Sequence, residues 1–172
     1  MVTASMECIL FRHGIAVERA DWDGEETLRP LTPAGRKKSR KAVAGLRRLG
    51  VSPTHLFSSP LARALQTAQL ARKAFGMRDE IAVKKELLPD APPAELLVVL
   101  ASLPEHACVI CVGHEPHLGA AASVMAFGKA TAGLSLKKAG GCSLGFDGKP
   151  RAGRGTLNWW VTPAQLRALA SR

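Results

Sequence analysis

Apolar runs too short to be helices alternate along the chain with longer stretches that open on Ser, Thr or Pro and close on Gly. The first run spans residues 7–11 (Glu-Cys-Ile-Leu-Phe) and is cut off by Arg12-His13-Gly14. Branched and aromatic residues over that length, followed by glycine, read as a buried strand entering a loop. Two similar runs, at 55–57 and 108–112, end in Ser58-Ser59-Pro60 and in Gly113-His114. Thr32-Pro33 caps and opens a helix that stops at Gly50. Ser58-Ser59 with Pro60 at the first helical position predicts a second helix, carrying Arg63 in its first turn and reaching about Phe75-Gly76. Further on, 81–88 reads as extended, 88–93 as a rigid proline loop and 94–103 as a short helix. A helix starts at Pro116 and runs to about Phe127. Residues 129–133 are a linker. Two strands, 141–146 and 155–161, form a hairpin with an extended loop around Asp147-Gly148, and 163–170 closes the chain as a helix. Residues 15–30 form a polar loop holding Asp21, Asp23, Glu25 and Glu26. A loop of that length without an apolar period of its own tends to be functional or mobile.

Strands alternating with helices predict an α/β layer with a largely parallel sheet. Ligands collect at the carboxyl ends of strands in such sheets. Three strands therefore deliver Arg12 with His13, Arg63, and His114 to neighbouring loops. Arginine can hold phosphate oxygens through two parallel donors, and histidine can act as a nucleophile. Taken singly, Arg12 reads as a surface cap and His13 as an ordinary loop residue. Their convergence with Arg63 and His114 predicts an anion pocket with a nucleophile in it. His117, three residues after His114 on the first turn of a helix, either reaches the pocket or, as the favoured reading, is exposed or capping. Ser59 either offers a hydroxyl to phosphate or caps its helix. His55 and His106 read as structural or exposed.

The 172 residues fit one domain, 1–172, large enough to bury a core. Although 47% of residues are hydrophobic, no apolar stretch approaches the roughly 20 residues that span a membrane. Residues 1–6 lack the basic-then-apolar pattern of an export signal, so a cytoplasmic location is expected. Four cysteines do not make a disulfide framework in a chain this long. Cys108 and Cys111 would point to opposite faces of one strand, which favours core thiols over a metal site or a pair. The net charge of +10 concentrates in Arg36, Lys37, Lys38, Arg40, Lys41, Arg47 and Arg48, on one helix. This reads as a solvated face, or as a surface that steers an acidic phosphoprotein toward the pocket. Nucleic-acid binding has no recognition module and only 5% aromatic residues to support it.

Arg12-His13-Gly14, Ser58-Ser59-Pro60 with Arg63-Ala64 and Gln66-Thr67, and Gly113-His114 resemble the signature of the histidine phosphatase superfamily. Within it, Arg29-Pro30-Leu31-Thr32 with Gly35, and Asn158-Trp159-Trp160-Val161-Thr162-Pro163, resemble the SixA-type phosphohistidine phosphatases. The resemblance covers about residues 9–169. It implies an α/β fold of the phosphoglycerate mutase-like kind, a three-layer sandwich with a mostly parallel central sheet and an antiparallel hairpin near the C-terminus. It also implies a phosphatase acting on phosphohistidine of a partner protein, through a phosphohistidine intermediate on His13. Arg12, Arg63 and His114 would bind the phosphate. No metal or other cofactor is expected, no nucleic acid or membrane partner, and a monomer is favoured. For the general acid, Asp90 most nearly matches the acidic position of SixA-like chains, with Glu86 and Glu115 as alternatives. A phosphorylated imidazole can accept a proton on its distal nitrogen and leave neutral, so such a pocket manages with a weak acid or none. Two other readings stand beside this one: a phosphatase of small esters or nucleotides, and a non-catalytic phosphate-binding module.

Overall fold

Strand β1 (Ser5–Arg12) lies inside a six-stranded sheet with both faces covered, which is why its residues run almost unbroken as apolar. The computed structural model describes residues 5–171. Residues 1–4, part of the stretch read for an export signal, lie outside the described residues. The other elements are α1 (Pro33–Arg48), β2 (His55–Ser58), α2 (Ala62–Phe75), β3 (Ala82–Val83), α3 (Pro93–Ala101), β4 (Cys108–Gly113), α4 (His117–Phe127), β5 (Gly141–Asp147), β6 (Thr156–Val161) and α5 (Pro163–Ala170). The strand order is β3-β2-β4-β1-β5-β6. The first four are mutually parallel, while β5 pairs antiparallel with both β1 and β6. A mostly parallel sheet ending in an antiparallel hairpin is what the alternation of elements led us to expect.

Alternate residues of the central strands feed two cores. Cys8, Leu10, Val109 and Cys111 pack with Leu96 and Leu100 of α3 and Leu118 and Met125 of α4. Ile9, Phe11, Ile110 and Val112 pack with Ala42, Val43 and Leu46 of α1, Ala64 and Ala68 of α2, and Leu166 of α5. Sheet and two helical layers make the three-layer sandwich. Cys111 belongs to the first core and Cys108 borders the second, so the two thiols do face opposite ways. The paired tryptophans divide likewise, Trp160 against one core and Trp159 against the other.

Three local expectations need correction. The stretch 81–88 pairs as a strand only at Ala82–Val83; Lys84 then donates to the Ser58 carbonyl at 2.8 Å, and Lys85–Leu87 coil into a 3-10 turn that buries Leu87 completely. Ser58-Ser59-Pro60 precedes the helix rather than opening it. The Ser59 amide is still tied to Val112 of β4 (2.9 Å), so α2 starts at Ala62 with Leu61 at its N-cap. Pro116 likewise stands at the N-cap of α4 rather than inside its first turn.

The motif around Thr32 fixes the polar loop. Thr32 caps α1 by accepting the Gly35 amide at 2.9 Å, and its own amide donates to Ile15. A Cβ on Gly35 would lie 2.0 Å from the Ile15 carbonyl oxygen, so this approach needs glycine. Gln66 of α2 accepts the Leu31 amide at 2.8 Å, and Ala16 bridges to Leu31. Both ends of the loop are thereby clamped beside β1. Between them the chain makes two 3-10 turns, Arg19–Asp21 and Glu26–Leu28.

Candidate active site

The carboxyl ends of β1, β4 and β2 open together into a cavity of about 290 Å³. Arg12 and His13 arrive from β1, His114 from β4, and Arg63 from the first turn of the helix that follows β2; all four line it. This is the convergence expected from the three strand ends.

His13 is 6% exposed. Its Nδ1 lies 2.7 Å from the Gly14 carbonyl, an acceptor, so Nδ1 carries the proton and Nε2 keeps a free lone pair. Burial, and then the charges of Arg63, Arg12 and Lys138, push its pKa down to about 3, with the Gly14 bond opposing. The imidazole is therefore neutral at physiological pH. A Cβ at position 14 would sit 2.0 Å from Ser39 Oγ, so any other residue there would have to displace the Ser39 side chain. The Gly14 amide donates to Thr67 Oγ1 (3.1 Å), which in turn donates to the Arg63 carbonyl (2.8 Å). The His13–Gly14 loop and the helix carrying Arg63 are thus locked to one another.

His114 is 2% exposed, and its ring centroid stands 4.9 Å from that of His13. Its Nε2 lies 2.8 Å from Ser59 Oγ, which also accepts the Leu61 amide. Ser59 thus holds a catalytic-site ring and does not close a helix. Burial first, then the neighbouring His13 and Arg63, push the His114 pKa down to about 2. His117 is not exposed, as its sequence position had suggested. It is 2% exposed, outside the cavity, and neither ring nitrogen has a partner.

The two arginines keep donors in reserve. Arg12 gives Nη1 to the Leu136 carbonyl (2.7 Å) and Arg63 gives Nη1 to the Glu26 carbonyl (3.3 Å), while the Nε of each has no partner. Desolvation lowers the pKa of both, and guanidinium stays charged regardless. Three further cations line the pocket: Arg19 and Arg29 from the polar loop, and Lys138. Glu18 faces Lys138 at 3.8 Å, and Glu26 holds the arginines. It holds Arg29 through paired 2.9 Å contacts and reaches Arg63 and Arg19 at 3.3 Å. The Arg29 bond is the main reason its own pKa falls to about 2.

Of the three carboxylates weighed as general acid, the structure brings one to the cavity. Asp90 is exposed and borders a different cleft, beside Lys85, Leu88 and Glu95, because Pro89 turns the chain away after lining the cavity itself. Glu86 does not line the cavity either. Glu115, adjacent to His114, does. Its Oε1 accepts the Leu136 amide at 2.9 Å, and burial raises its carboxyl above the ordinary range. Among the described residues no three His, Cys, Asp or Glu side chains are grouped to hold a metal ion. Arg29, Lys138 and the supporting Glu26 were not identified as site residues from sequence. Arg29 sat in a recognised motif and Glu26 in the polar loop, but neither signal says where a side chain ends up.

The chain belongs to the histidine phosphatase superfamily: it matches branch 1 of that superfamily over residues 8–88. Its further likeness is to SixA. The Phosphohistidine phosphatase SixA of Escherichia coli (strain K12) is 25% identical over 164 residues, 94% of this chain and 97% of that one. The solved structure of the protein histidine phosphatase SixA complexed with tungstate superposes with a TM-score of 0.81, at 25% identity, over 94% of this chain and 99% of that one. An uncharacterized protein of Picosynechococcus sp. (strain PCC 7002) is 38% identical over 141 residues, 78% of this chain and 82% of the relative. A phosphoglycerate mutase from Bacillus anthracis shares the fold, with a TM-score of 0.68 at 13% identity over 99% of this chain and 98% of that one. These likenesses support a phosphatase.

Proposed function

We propose that this phosphatase removes the phosphoryl group from phosphohistidine on a partner protein, without a metal, through a covalent intermediate on His13. One observation carries the reading: a neutral histidine, its Nδ1 committed to a backbone carbonyl, presents Nε2 among guanidinium groups. Arg12, Arg29 and Arg63 neutralise the phosphoryl oxygens that would repel a nucleophile. Nε2 of His13 attacks phosphorus in line, the P–N bond to the substrate imidazole breaks, and that imidazole takes a proton and leaves neutral. Water then hydrolyses the His13 phosphoramidate to inorganic phosphate. Ser59, whose Oγ lies 2.8 Å from Nε2 of His114, orients that ring against the cavity beside His13. A cavity of about 290 Å³ is large enough for a phosphoryl group together with the imidazole that carries it, while the rest of a protein substrate stays outside. Likeness to SixA over nearly the whole chain points the same way.

Glu115 supports a second reading, phosphate-ester hydrolysis. Its raised pKa lets it hold a proton that an alkoxide leaving group needs. Initial rates on a histidine-phosphorylated protein, a sugar phosphate and an aryl phosphate separate the two. The proposal expects the phosphoprotein to have the highest kcat/KM; higher kcat/KM on the sugar phosphate would overturn it. Glu115→Gln should slow alkyl-ester hydrolysis by about tenfold or more while P–N cleavage changes little. Asp90→Asn should alter neither. Loss of ester hydrolysis in Asp90→Asn alone would return the acid to Asp90.

A further inference from the structure

Beside the phosphoryl pocket lies a second cleft of about 460 Å³, and the two share Arg12 and Lys138 as common wall. Five cations line it, Arg12, Lys38, Lys137, Lys138 and Arg167, and no carboxylate does. Of these only Lys138 has an ion-pair partner within 4.0 Å among the described residues, Glu18 at 3.8 Å. Ser39, on the same wall, is wholly buried and its hydroxyl has no partner. The backbone is constrained to build this wall. Ala139 has a φ of 61°, which an L residue adopts only at a cost in free energy. Its amide is held by the Arg12 and His13 carbonyls, at 3.1 Å each, which keeps Lys137 and Lys138 alongside the nucleophile strand.

Unpaired like charges packed around one cleft repel each other, and an anion entering it relieves that repulsion. We propose that the cleft is a substrate subsite for a carboxylate: an Asp or Glu side chain flanking the phosphohistidine of the protein substrate. The inference rests on the phosphohistidine reading and adds a specificity element to it. With the phosphoryl group in the smaller cavity, the shared wall of Arg12 and Lys138 puts side chains next to the phosphohistidine within reach of the cleft.

This differs from general steering by the basic helix. Lys38 lines the cleft, whereas Arg47 and Arg48 border another surface at the far end of α1. Ten residues of helix are about 15 Å, beyond the screening length of about 10 Å at 0.1 M salt. The test uses two phosphohistidine peptides, flanked by Glu or by Gln, a matched phosphoserine pair, and an aryl phosphate. Each is assayed at 0.1 M salt with the wild type, Lys38→Glu/Lys137→Glu, and the equally charged control Arg47→Glu/Arg48→Glu. All four positions are exposed. The expected result is a preference in kcat/KM of about tenfold for the Glu peptide. It should vanish in the Lys38/Lys137 variant and persist in the Arg47/Arg48 variant, with aryl phosphate turnover unchanged in both. Equal rates on the two flanks, a preference that survives Lys38→Glu/Lys137→Glu, or an equal loss in the control would each overturn the subsite. A flank preference on phosphoserine with no turnover of phosphohistidine would sink the phosphohistidine reading and keep the subsite. Turnover of phosphohistidine without preference would do the reverse, and no turnover of any peptide would end both.

Discussion

In the proposed reaction a phosphoryl group is attacked by a lone pair, and His13 has one because its proton sits on the other nitrogen and burial keeps the ring neutral. The side chain borders a cavity rather than a core, so His13→Ala should abolish turnover while leaving the thermal transition in place. Rapid quenching with labelled substrate should leave acid-labile, base-stable phosphate on His13; label on serine or cysteine would refute the assignment. The arginines act through geometry as well as charge. Lysine keeps the charge of Arg12 or Arg63 but loses the fork that meets two oxygens at once. Each Arg→Lys variant should lose more than about tenfold in kcat, or about 1.4 kcal/mol of transition-state stabilisation. Near-normal kinetics in both variants would make these arginines structural. At this scale the sequence exposed Arg12, His13, Arg63 and His114 because each sits next to a strand end. It hid Lys138 and favoured Asp90 over Glu115. Whether those side chains reach the cavity depends on the Ala139 turn, held by the distant Arg12 and His13 carbonyls, and on where the chain goes after Pro89.

Elements were legible where one local rule decided them. The runs at 7–11 and 108–112 are strands because both of their faces are buried, and α1 begins where Thr32 can cap it. The stretch 81–88 failed that reading because only two of its residues find a strand partner, while Leu87 is drawn into the core. The packing of α5 on α1 could not be read from sequence at all, and it depends on one glycine. A Cβ on Gly45 would stand 2.1 Å from the Leu166 carbonyl oxygen, a backbone atom that cannot swing aside. Gly45→Ala should therefore push α5 off α1 and destabilise the fold by about 1–3 kcal/mol, as overpacking does. The loss should appear in the urea midpoint, while kcat at low temperature stays near normal because the catalytic strand ends are elsewhere. An unchanged midpoint would mean that the two helices slide freely.

Across the whole molecule, three neutral histidines, His13, His114 and His117, are buried beside one another's loops with pKa values of about 3, 2 and 4. Each is lowered chiefly by burial. The unfolded chain protonates histidine at about 6.5. Between that pH and each folded value, the unfolded state binds more protons, so stability rises with pH and is lost on acidification. The loss should begin below about pH 6.5 and continue toward pH 3. Glu26, with its pKa of about 2, adds its own loss only below the ordinary carboxylate range, so the drop from pH 6.5 to 5 belongs to the histidines. His117 is the one of the three to test, since it lies outside the pocket and its ring makes no hydrogen bond. Leucine fits there without a group to protonate. A span of 6.5 to about 4 is worth on the order of 3 kcal/mol. His117→Leu should therefore flatten the decline in unfolding free energy between pH 7 and 4 by up to that amount, as read from urea midpoints across the range. Wild-type and variant curves that fall in parallel would show that His117 is not held neutral in the folded state.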